Sequence, residues 1–542
     1  MTAADPPTYN LIDQPWLLAR TRDGETAELS LTQVLRRASQ LSGLVGDVPT
    51  QAFALTRLLL AVTHAAVRGP RDIDHWLDLW HAAELPVDDI TSYVDKHRDR
   101  FDLLHPTTPF FQVADLRTAK GEMTGLDRLV ADVPNGHPFF TTRLGADLTL
   151  SFAEAARWLV HAHAFDPSGI KSGAEGDPRV KGGKGYPIGT GWSGFLGGVL
   201  PEGHTLKDTL LLNLIPHDYG DPPREAATDL PAWERTPAGP AEEQPGGRAP
   251  IGPVDLYTWQ SRRIRLAHNG TRVTAVLICN GERITPQNKQ SLEPHSGWRR
   301  STAQEKKLGR SPIYMPREHN PERAIWRGLQ SLLPGAEKPQ GSEAAPFLAP
   351  SVLEWISSIT HDIGLDYPLR LHTLGMTYGN QSSTTDDIID DTLSLRAVLI
   401  RQDARRLAAA VIACAKAAED TAGALGRLAG DLAAAAGCGR DERHGPTSRA
   451  QERAYADLDA PFRAWIRNLD ADTEVTEAQS SWHRQAKHIV TALGEDLIRR
   501  APATAWTGRV IDQKLMTVTH ADRAFRGRLR AALPLAQPEP AQ

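Results

Sequence analysis

The chain has 542 residues, of which 23% are charged and 40% hydrophobic, and its net charge is −5 at pH 7. These are ordinary values for a globular protein of two or more domains, and the slight acidic excess argues against a free-standing nucleic-acid-binding protein. Its 3 cysteines form no CxxC pair, which excludes a disulfide scaffold and a cysteine-based zinc site. The first residues lack a signal-peptide pattern, and we expect no transmembrane helix and a cytoplasmic location.

The N-terminal part predicts a short strand followed by helices. Residues 9–22 are typical of a strand, and helical periodicity follows over 28–45, 49–68 and 72–104. A loop rich in proline and aromatic residues comes next, at 105–116. We expect the aromatic side chains of this part to lie in a core rather than to form a binding platform. They are Trp76, Trp80, Phe110 and Phe111.

The stretch from Phe165 to Gly198 contains 11 glycines in 34 residues. Glycine at this density allows backbone to approach a ligand closely, and backbone amides beside lysines suit a polyanion such as a phosphate backbone. A mobile surface loop without a ligand is the alternative. The basic side chains of the stretch are Lys171, Arg179, Lys181 and Lys184.

Two nucleotide-binding motifs fail on this stretch. A P-loop needs Ser or Thr after its lysine, but Lys184 is followed by Gly185, and Pro178 occupies the position of the first required glycine. A dinucleotide fingerprint needs a preceding strand, whereas the preceding residues have a helical pattern. We therefore reject both motifs.

The section after residue 253 is rich in predicted strands and in basic residues. Two alternating segments flank His268-Asn269-Gly270, which predicts a hairpin. Residues 260–323 carry 13 Lys and Arg against 5 Glu, and 499–530 carry 8 against 2 acids. Such segments predict either a local polyanion surface or ordinary solvated faces.

The alanine-rich segment 403–436 has the periodicity of one long helix. Its predicted buried seam is Leu407, Val411, Cys414, Ala418, Thr421, Leu425, Leu428, Leu432 and Ala435. Three further helices are marked by Tyr455 to Leu469, with Pro461 as a kink or a late start, by Trp482 to Leu497, and by Trp506, Val510, Phe525 and Leu529. We predict an α+β protein: a large mixed α/β domain over 1–395, and over 401–542 an antiparallel four-helix bundle, ending near 533, with a disordered tail.

Two acidic or histidine-containing clusters suggest catalysis or metal binding. The DDxxD pattern at Asp386, Asp387, Asp390 and Asp391 resembles the magnesium-diphosphate motif of isoprenoid synthases, but no second acidic motif faces it, and a capped, solvated turn is the simpler interpretation. His161, His163 and Asp166 have a spacing that does not bring both histidines to one helical face. We predict no catalytic residue, no metal and no cofactor.

In the order and spacing of its motifs, the chain resembles the CasA family, the large subunits of the type I-E CRISPR Cascade complex. The likeness extends over nearly the whole chain. The matching motifs are Leu11-Ile12-Asp13 with Trp16, Pro109-Phe110-Phe111-Gln112, Gly169-Ile170-Lys171-Ser172-Gly173, Leu211-Leu212-Asn213, Trp259-Gln260, Asn380-Gln381 with Ser383, and the C-terminal bundle.

This resemblance implies a non-enzymatic DNA-recognition subunit. Such subunits read the protospacer-adjacent motif (PAM) of double-stranded DNA, wedge the duplex open for guide pairing and dock a helicase-nuclease. By motif position, Asn380 and Gln381 correspond to the wedge, and Ser168, Gly169 and Lys171 to the loop that approaches the minor groove. A loop containing Phe139, Phe140, Thr141 and Arg143 corresponds to a segment that contacts the crRNA and its neighbouring Cascade subunits.

The chain differs from the family pattern in several places, and one DNA contact has more than one candidate residue. The chain has Ser168 where the family is richer in glycine, and it lacks the paired cysteines that some relatives carry in the strand-rich section. That section supplies a PAM-contacting lysine in relatives, for which Lys289 is the candidate here, followed by Lys306 and Lys307. The competing hypotheses are a magnesium-dependent diphosphate-using enzyme built on the DDxxD motif and an interaction scaffold that does not bind DNA.

Overall fold

The computed structural model describes residues 7–131, 148–220, 227–333, 344–401, 404–511 and 513–536. The chain divides into two compact units. The first unit comprises 1–322, 339–356 and 369–392, and the second comprises 323–338, 357–368 and 393–542. Two segments that the predicted boundary placed in the N-terminal domain, 323–338 and 357–368, thus lie in the second unit. The mixture of helices and strands, with helices at the C-terminal end, confirms the predicted α+β class.

The first unit contains several small sheets. Within the described residues their strand orders are β2-β1-β3, β10-β9-β11, β13-β12-β6 and β5-β4-β8-β7. The strands that lie wholly or mostly in this unit are β1 (Leu17–Thr21), β2 (Thr26–Leu29), β3 (Leu41–Leu44), β4 (Lys171–Ser172), β5 (Lys184–Gly185), β6 (Gly198–Glu202), β7 (Arg262–His268), β8 (Val273–Asn280), β9 (Trp298–Arg300), β10 (Tyr314–Pro316), β11 (Phe347–Leu348), β12 (Pro368–Tyr378) and β13 (Thr385–Arg396).

Helices pack among these sheets. They are α1 (Leu31–Arg36), α2 (Pro49–Val67), α3 (Ile73–His81), α4 (Val87–Lys96), α5 (Phe152–Phe165), α6 (Leu206–Leu212), α7 (Pro253–Tyr257), α8 (Thr302–Leu308) and α9 (Ser351–Ser358). The helix predicted over 28–45 is wrong, because β2 and β3 pair with the two edges of β1 and only α1 lies between them. Pairing with a neighbouring strand overrides the helical pattern there.

Helix α2 is a core helix of the first unit. Pro49 occupies its first turn, where the missing backbone N–H costs no hydrogen bond. Within the described residues it is the one helix long and apolar enough to cross a membrane by length and composition, and 78% of that window is buried. The predicted core aromatics are confirmed: Trp76, Phe110 and Phe111 are buried, and Trp80 stacks on Trp76 at 5.1 Å.

The second unit is built around the long helix α11. Its helices and strands are α10 (Thr360–Ile363), α11 (Arg405–Ala436), α12 (His444–Arg467), α13 (Val475–Arg499), α14 (Ala503–Thr507), β14 (Arg509–Ile511), β15 (Lys514–Met516) and α15 (Val518–Ala532). Helix α11 packs against each of α12, α13 and α15. Every residue of the predicted seam is buried, which confirms the four-helix bundle.

The contacts between helices fix their antiparallel arrangement. Gly426 and Gly430 of α11 lie against Gln451 and Thr447 of α12, so the chain directions oppose each other. Two details differ from the prediction. Helix α12 begins at His444 and continues through Pro461. The last helix begins only at Val518, since Trp506 lies in α14 and Val510 lies in the β14–β15 hairpin.

Candidate nucleic-acid interface

Helix α5 positions the glycine-rich stretch. It starts with a capping box between Ser151 and Glu154, and it ends at Phe165, directly before Asp166. The carboxylate of Asp166 lies 2.6 Å from Lys171 Nζ and 2.5 Å from Arg262 Nε. All three side chains are largely buried, so this pair of cations fixes the start of the loop to strand β7.

Arg262 also holds the backbone of the loop. Its Nη2 donates to the carbonyl oxygens of Asp166, Pro167 and Gly189 at 3.0, 3.1 and 2.9 Å. Burial alone would raise the pKa of Asp166, but the charges of Lys171 and Arg262 lower it below its ordinary value. The loop is therefore anchored at both ends by one buried, ionised cluster.

The outer part of the loop presents backbone and two lysines. Gly169 has φ +132, a conformation that favours glycine, and Ile170 beside it is 58% exposed. Lys181 and Lys184 are exposed. Arg179, in contrast, is held by Asp177 and Glu242 and donates to the carbonyls of Asn280 and Gly281. Of the four predicted basic side chains, two are thus used for internal pairing and two face solvent.

Strands β12 and β13 form a hairpin whose turn carries the predicted wedge. The Gly379 amide donates to the Thr384 carbonyl at 3.0 Å, and the Ser382 amide donates to the Gly379 carbonyl at 2.8 Å. A side chain at Gly379 would meet the side-chain oxygens of Asp386 and Thr384 at 2.5 Å, so those side chains pack close to the turn. The turn is consequently closed by its own backbone.

The tip of this turn is exposed and locally strained. Gln381 and Ser382 both have φ +54, which non-glycine residues rarely adopt. The side chains of Asn380 and Gln381 are exposed and make no hydrogen bond or ion pair with the part of the chain that the structure describes. Two polar side chains are thus presented to solvent on a conformationally restricted support.

The structure brings the wedge turn and the glycine loop together. Tyr378, the last residue of β12, donates its hydroxyl to the Phe165 carbonyl at 2.7 Å. A side chain at Gly169 would contact Ser383 at 3.8 Å. A cavity of about 710 Å³ lies between the two segments, and both contribute to its walls. Ser168, Gly169 and Lys171 therefore share one site with the turn that bears Asn380 and Gln381.

The acidic motif lies on strand β13, not on a helix. Successive strand side chains point to opposite faces, so Asp386 and Asp390 lie on one face and Asp387 and Asp391 on the other. Within the described residues, no group of three or more His, Cys, Asp or Glu side chains is placed to hold a metal ion. Aspartates that alternate between the two faces of a strand do not converge on one cation, as the diphosphate-enzyme hypothesis requires.

Asp390 instead takes part in a cross-strand bridge. His372 on β12 contacts Asp390 through Nε2 at 2.6 Å and Glu202 on β6 through Nδ1 at 3.0 Å. Burial by itself would lower the pKa of His372, but hydrogen bonds with Asp390 and Glu202 raise it to about 9. The imidazolium thus joins all three strands of the sheet that carries the wedge turn.

We expect this bridge to make stability depend on pH. Because the folded-state pKa of His372 lies above its ordinary value of 6.5, its stabilisation is complete below pH 6.5 and is lost as the pH rises through 9. His372→Gln should lower the free energy of unfolding by about 1–2 kcal/mol at pH 6, and the difference should vanish near pH 10. Urea unfolding across this range measures it, with the exposed His361→Gln as the control. A deficit that does not change with pH would contradict the assignment.

The histidines of α5 do not form a metal site. His161 bonds to Thr50 Oγ1 at 2.9 Å, and His163 Nε2 lies 2.9 Å from the Phe111 carbonyl oxygen. Burial lowers their pKa values to about 3 and 4, so both are neutral core residues. Asp166 contacts Lys171 and Arg262 instead.

Arg262 and Tyr378 are the site residues that sequence reasoning missed. Arg262 was counted with the basic surface of 260–323, yet both it and Arg263 are buried, and Arg263 pairs with Glu282. Arg262 and Arg263 are successive residues of a strand and therefore lie on its opposite faces. Their burial can be inferred only when both faces of the strand are known to be covered. Tyr378 carries no local signal, because its partner lies 213 residues away.

The other sequence-predicted contacts lie elsewhere. Lys289 is half-buried, donates to the Gln287 carbonyl at 3.3 Å and does not line the cavity. Burial and the nearby charge of Arg310 lower its pKa. Lys306 and Lys307 are exposed in the last turn of α8. Four further residues, predicted to contact the crRNA, fall outside the described residues: Phe139, Phe140, Thr141 and Arg143.

Comparison with known proteins gives consistent results. A model of the CRISPR-associated protein Cse1 family matches residues 10–493. The Cse1 crystal structure from Thermobifida fusca is 46% identical, with a TM-score of 0.91 over 98% of this chain and 99% of that one. The CasA/Cse1 protein of Thermus thermophilus is 28% identical over 82% of both chains.

A more distant structure shares the fold. A chain of a CRISPR RNA-guided surveillance complex is 21% identical and superposes with a TM-score of 0.66, over 91% of this chain and 99% of that one. The family match covers far more than half of the chain. This chain is therefore a member of the CRISPR-associated Cse1 family.

Proposed function

We propose that this chain is the DNA-recognition subunit of an RNA-guided CRISPR surveillance complex. In this role it reads the PAM in double-stranded DNA, wedges the duplex open to start R-loop formation and helps to recruit a helicase-nuclease. Membership of the Cse1 family and the likeness to a surveillance-complex chain support the proposal. The observation that carries it is that the glycine loop at Gly169 and the turn at Ser383 line the same cavity.

The turn is suited to enter a base step. Opening a step costs a few kcal/mol, so the inserted element must not yield when the bases press against it. Asn380 and Gln381 stand on a turn closed by backbone hydrogen bonds, and Tyr378 fastens the end of β12 to Phe165. Their polar side chains are able to replace hydrogen bonds that the separated bases lose.

The glycine loop is suited to approach a minor groove. Gly169 has no side chain, and Ser168, which is buried at 7% exposure, lines the cavity beside it with a hydroxyl that is both donor and acceptor. Minor-groove readout mainly separates A·T from G·C pairs, which fits a subunit that tolerates several PAM sequences. We assign Lys184 to a phosphate contact, and Lys171 to positioning the loop through its ion pair with Asp166. The further DNA-contacting lysine remains a choice among Lys289, Lys306 and Lys307.

The proposed partners follow from the same assignment. They are target duplex DNA, the crRNA-bound Cascade backbone and small subunits, and the helicase-nuclease. We propose that the loop with Phe139, Phe140, Thr141 and Arg143 contacts the crRNA and that the bundle within 401–542 serves as a docking module. We further propose that the chain acts in the cytoplasm. It recognises DNA without a cofactor and without catalysing a reaction.

A gel-shift experiment tests the proposal as a whole. The chain is titrated with PAM-containing duplex, alone and together with the guide-loaded backbone complex. We expect PAM-dependent binding that strengthens in the complex and falls steeply with salt. Assembly with the backbone but no PAM-dependent binding would support the interaction scaffold instead.

Substitution of Lys184 should change the salt dependence of binding. Lys184→Gln removes one exposed charge, so we expect the slope of log K against log salt to decrease by about 0.9, equally for all PAM variants. Lys416→Gln in α11 is the control. Lys416 is also exposed, but it lies in the second unit and pairs there with Asp420. If the slope of log K against log salt were the same for Lys184→Gln and Lys416→Gln, Lys184 would not contact DNA.

A further inference from the structure

The cavity between the glycine loop and the wedge turn has the size and form of a ligand site. Its volume of about 710 Å³ falls within the roughly 300–1,000 Å³ that is typical of small-molecule sites. Its walls come from the loop around Ser168, from the turn at Ser383, and from the segment before Ala131.

Six hydroxyl side chains line the cavity, alongside charged ones. They belong to Thr124, Ser168, Ser172, Ser383, Thr384 and Thr385. The hydroxyls of Ser168 and Ser172 make no hydrogen bond with any described residue. Hydroxyls both donate and accept, so they suit the mixed donor and acceptor edge of a nucleobase without selecting one base.

An apolar surface stands at the same cavity. Ile170 lines it and is 58% exposed, one of the most exposed large hydrophobic side chains in the described part of the chain. Neither the wedge nor the minor-groove contact explains an isoleucine held in solvent within a glycine-rich loop. A base plane lying against Ile170 would remove this apolar surface from water.

With Lys171 and Asp166 paired to each other, the remaining charges of the lining suit a single phosphate. Lys184 is exposed and unpaired within the described residues, and Arg128 is half-exposed with Asp127 3.8 Å away. Asp127 and Asp386 also line the cavity and would repel a di- or triphosphate. A single phosphodiester beside Lys184 therefore suits this combination of cationic and anionic side chains.

We propose that this cavity binds one unstacked nucleotide of a single strand. The base lies against Ile170 and the hydroxyls of Ser168 and Ser172, and the phosphate contacts Lys184. The inference extends the proposed function, since a wedge at the same site would supply an unstacked nucleotide. It assigns a receiving site to a nucleotide that has left the duplex.

The test uses the full chain and a five-nucleotide oligothymidine with 2-aminopurine at its centre. We expect saturable binding with a change in 2-aminopurine fluorescence, and about five-fold weaker binding for both Ile170→Ala and Lys184→Gln. Lys181→Gln is the matched control, because Lys181 is equally exposed in the same loop but does not line the cavity. Wild-type affinity in both Ile170→Ala and Lys184→Gln, or no binding by the wild type, would overturn the inference.

A parallel titration with PAM duplex separates this inference from the proposed function. Duplex binding without binding of the oligothymidine rejects the cavity site alone. Binding of the oligothymidine that depends on Ile170, without duplex binding, supports the cavity site and rejects PAM recognition. Because Ile170 is exposed, its replacement by alanine should leave the fold intact, and circular dichroism verifies this.

Discussion

Replacing Asn380 and Gln381 together by alanine should slow R-loop formation on intact duplex by about 100-fold, because opening a base step costs a few kcal/mol. A target already mismatched beside the PAM has lost that barrier, so its R-loop should form at close to the wild-type rate. Stopped-flow measurement of strand separation in the assembled complex compares the two targets.

The control for this experiment is Ser394→Ala, an exposed polar residue on the same strand but distant from the turn. Neither variant should change the free energy of unfolding by more than about 0.5 kcal/mol, since exposed polar substitutions rarely do. Equal loss on intact and pre-melted targets would mean that Asn380 and Gln381 do not form the wedge.

Replacing Asp166 by alanine should destabilise the first unit by about 3–5 kcal/mol. The substitution leaves the buried cations Arg262 and Lys171 without their shared carboxylate, and an unpaired buried charge is far more costly than a lost surface pair. DNA binding should fall as well, because the start of the glycine loop loses its attachment to β7. Denaturant unfolding and hydrogen exchange of the loop measure the two effects.

Two comparisons test whether the destabilisation by Asp166→Ala comes from the loss of a buried charge. Asp420→Ala breaks the exposed pair with Lys416 and should cost less than about 1 kcal/mol. The pKa of Asp166 is depressed, so its stabilisation is present above the ordinary value of 3.8 and is lost as the pH falls below it. The difference between wild type and Asp166→Ala should therefore shrink in acid; a difference that stayed constant would locate the effect in packing rather than charge.

The bundle was predictable from sequence because its signal is local. The spacing from Leu407 to Ala435 repeats along one helix, and burial follows directly from that repeat. The same reasoning failed at Val510, since exposed apolar residues of a short hairpin happened to match a helical spacing with Phe525. Periodicity identifies elements that bury one face, and it misleads where apolar residues remain in solvent.

The site was predictable only in part. Family motifs suggested the loop at Gly169 and the turn near Asn380 as candidate DNA contacts, but nothing in either segment indicates that the two lie close together. Their contact depends on Arg262, 96 residues from Asp166, and on Tyr378, 213 residues from Phe165. Pairings at such separations are set by the tertiary fold, so local patterns do not reveal them.

Strand β13 lies at the edge of its sheet, where its unpaired backbone groups would accept a strand from another molecule. Its two Asp-Asp pairs, which resembled a metal site in the sequence, place carboxylates on both faces of this edge strand, and Asp390 is paired with His372. Charged edges resist the addition of a further strand, so copies of the chain are kept from joining into an extended sheet. We expect the acidic motif to act in this way as a guard against edge-to-edge pairing rather than as a metal site.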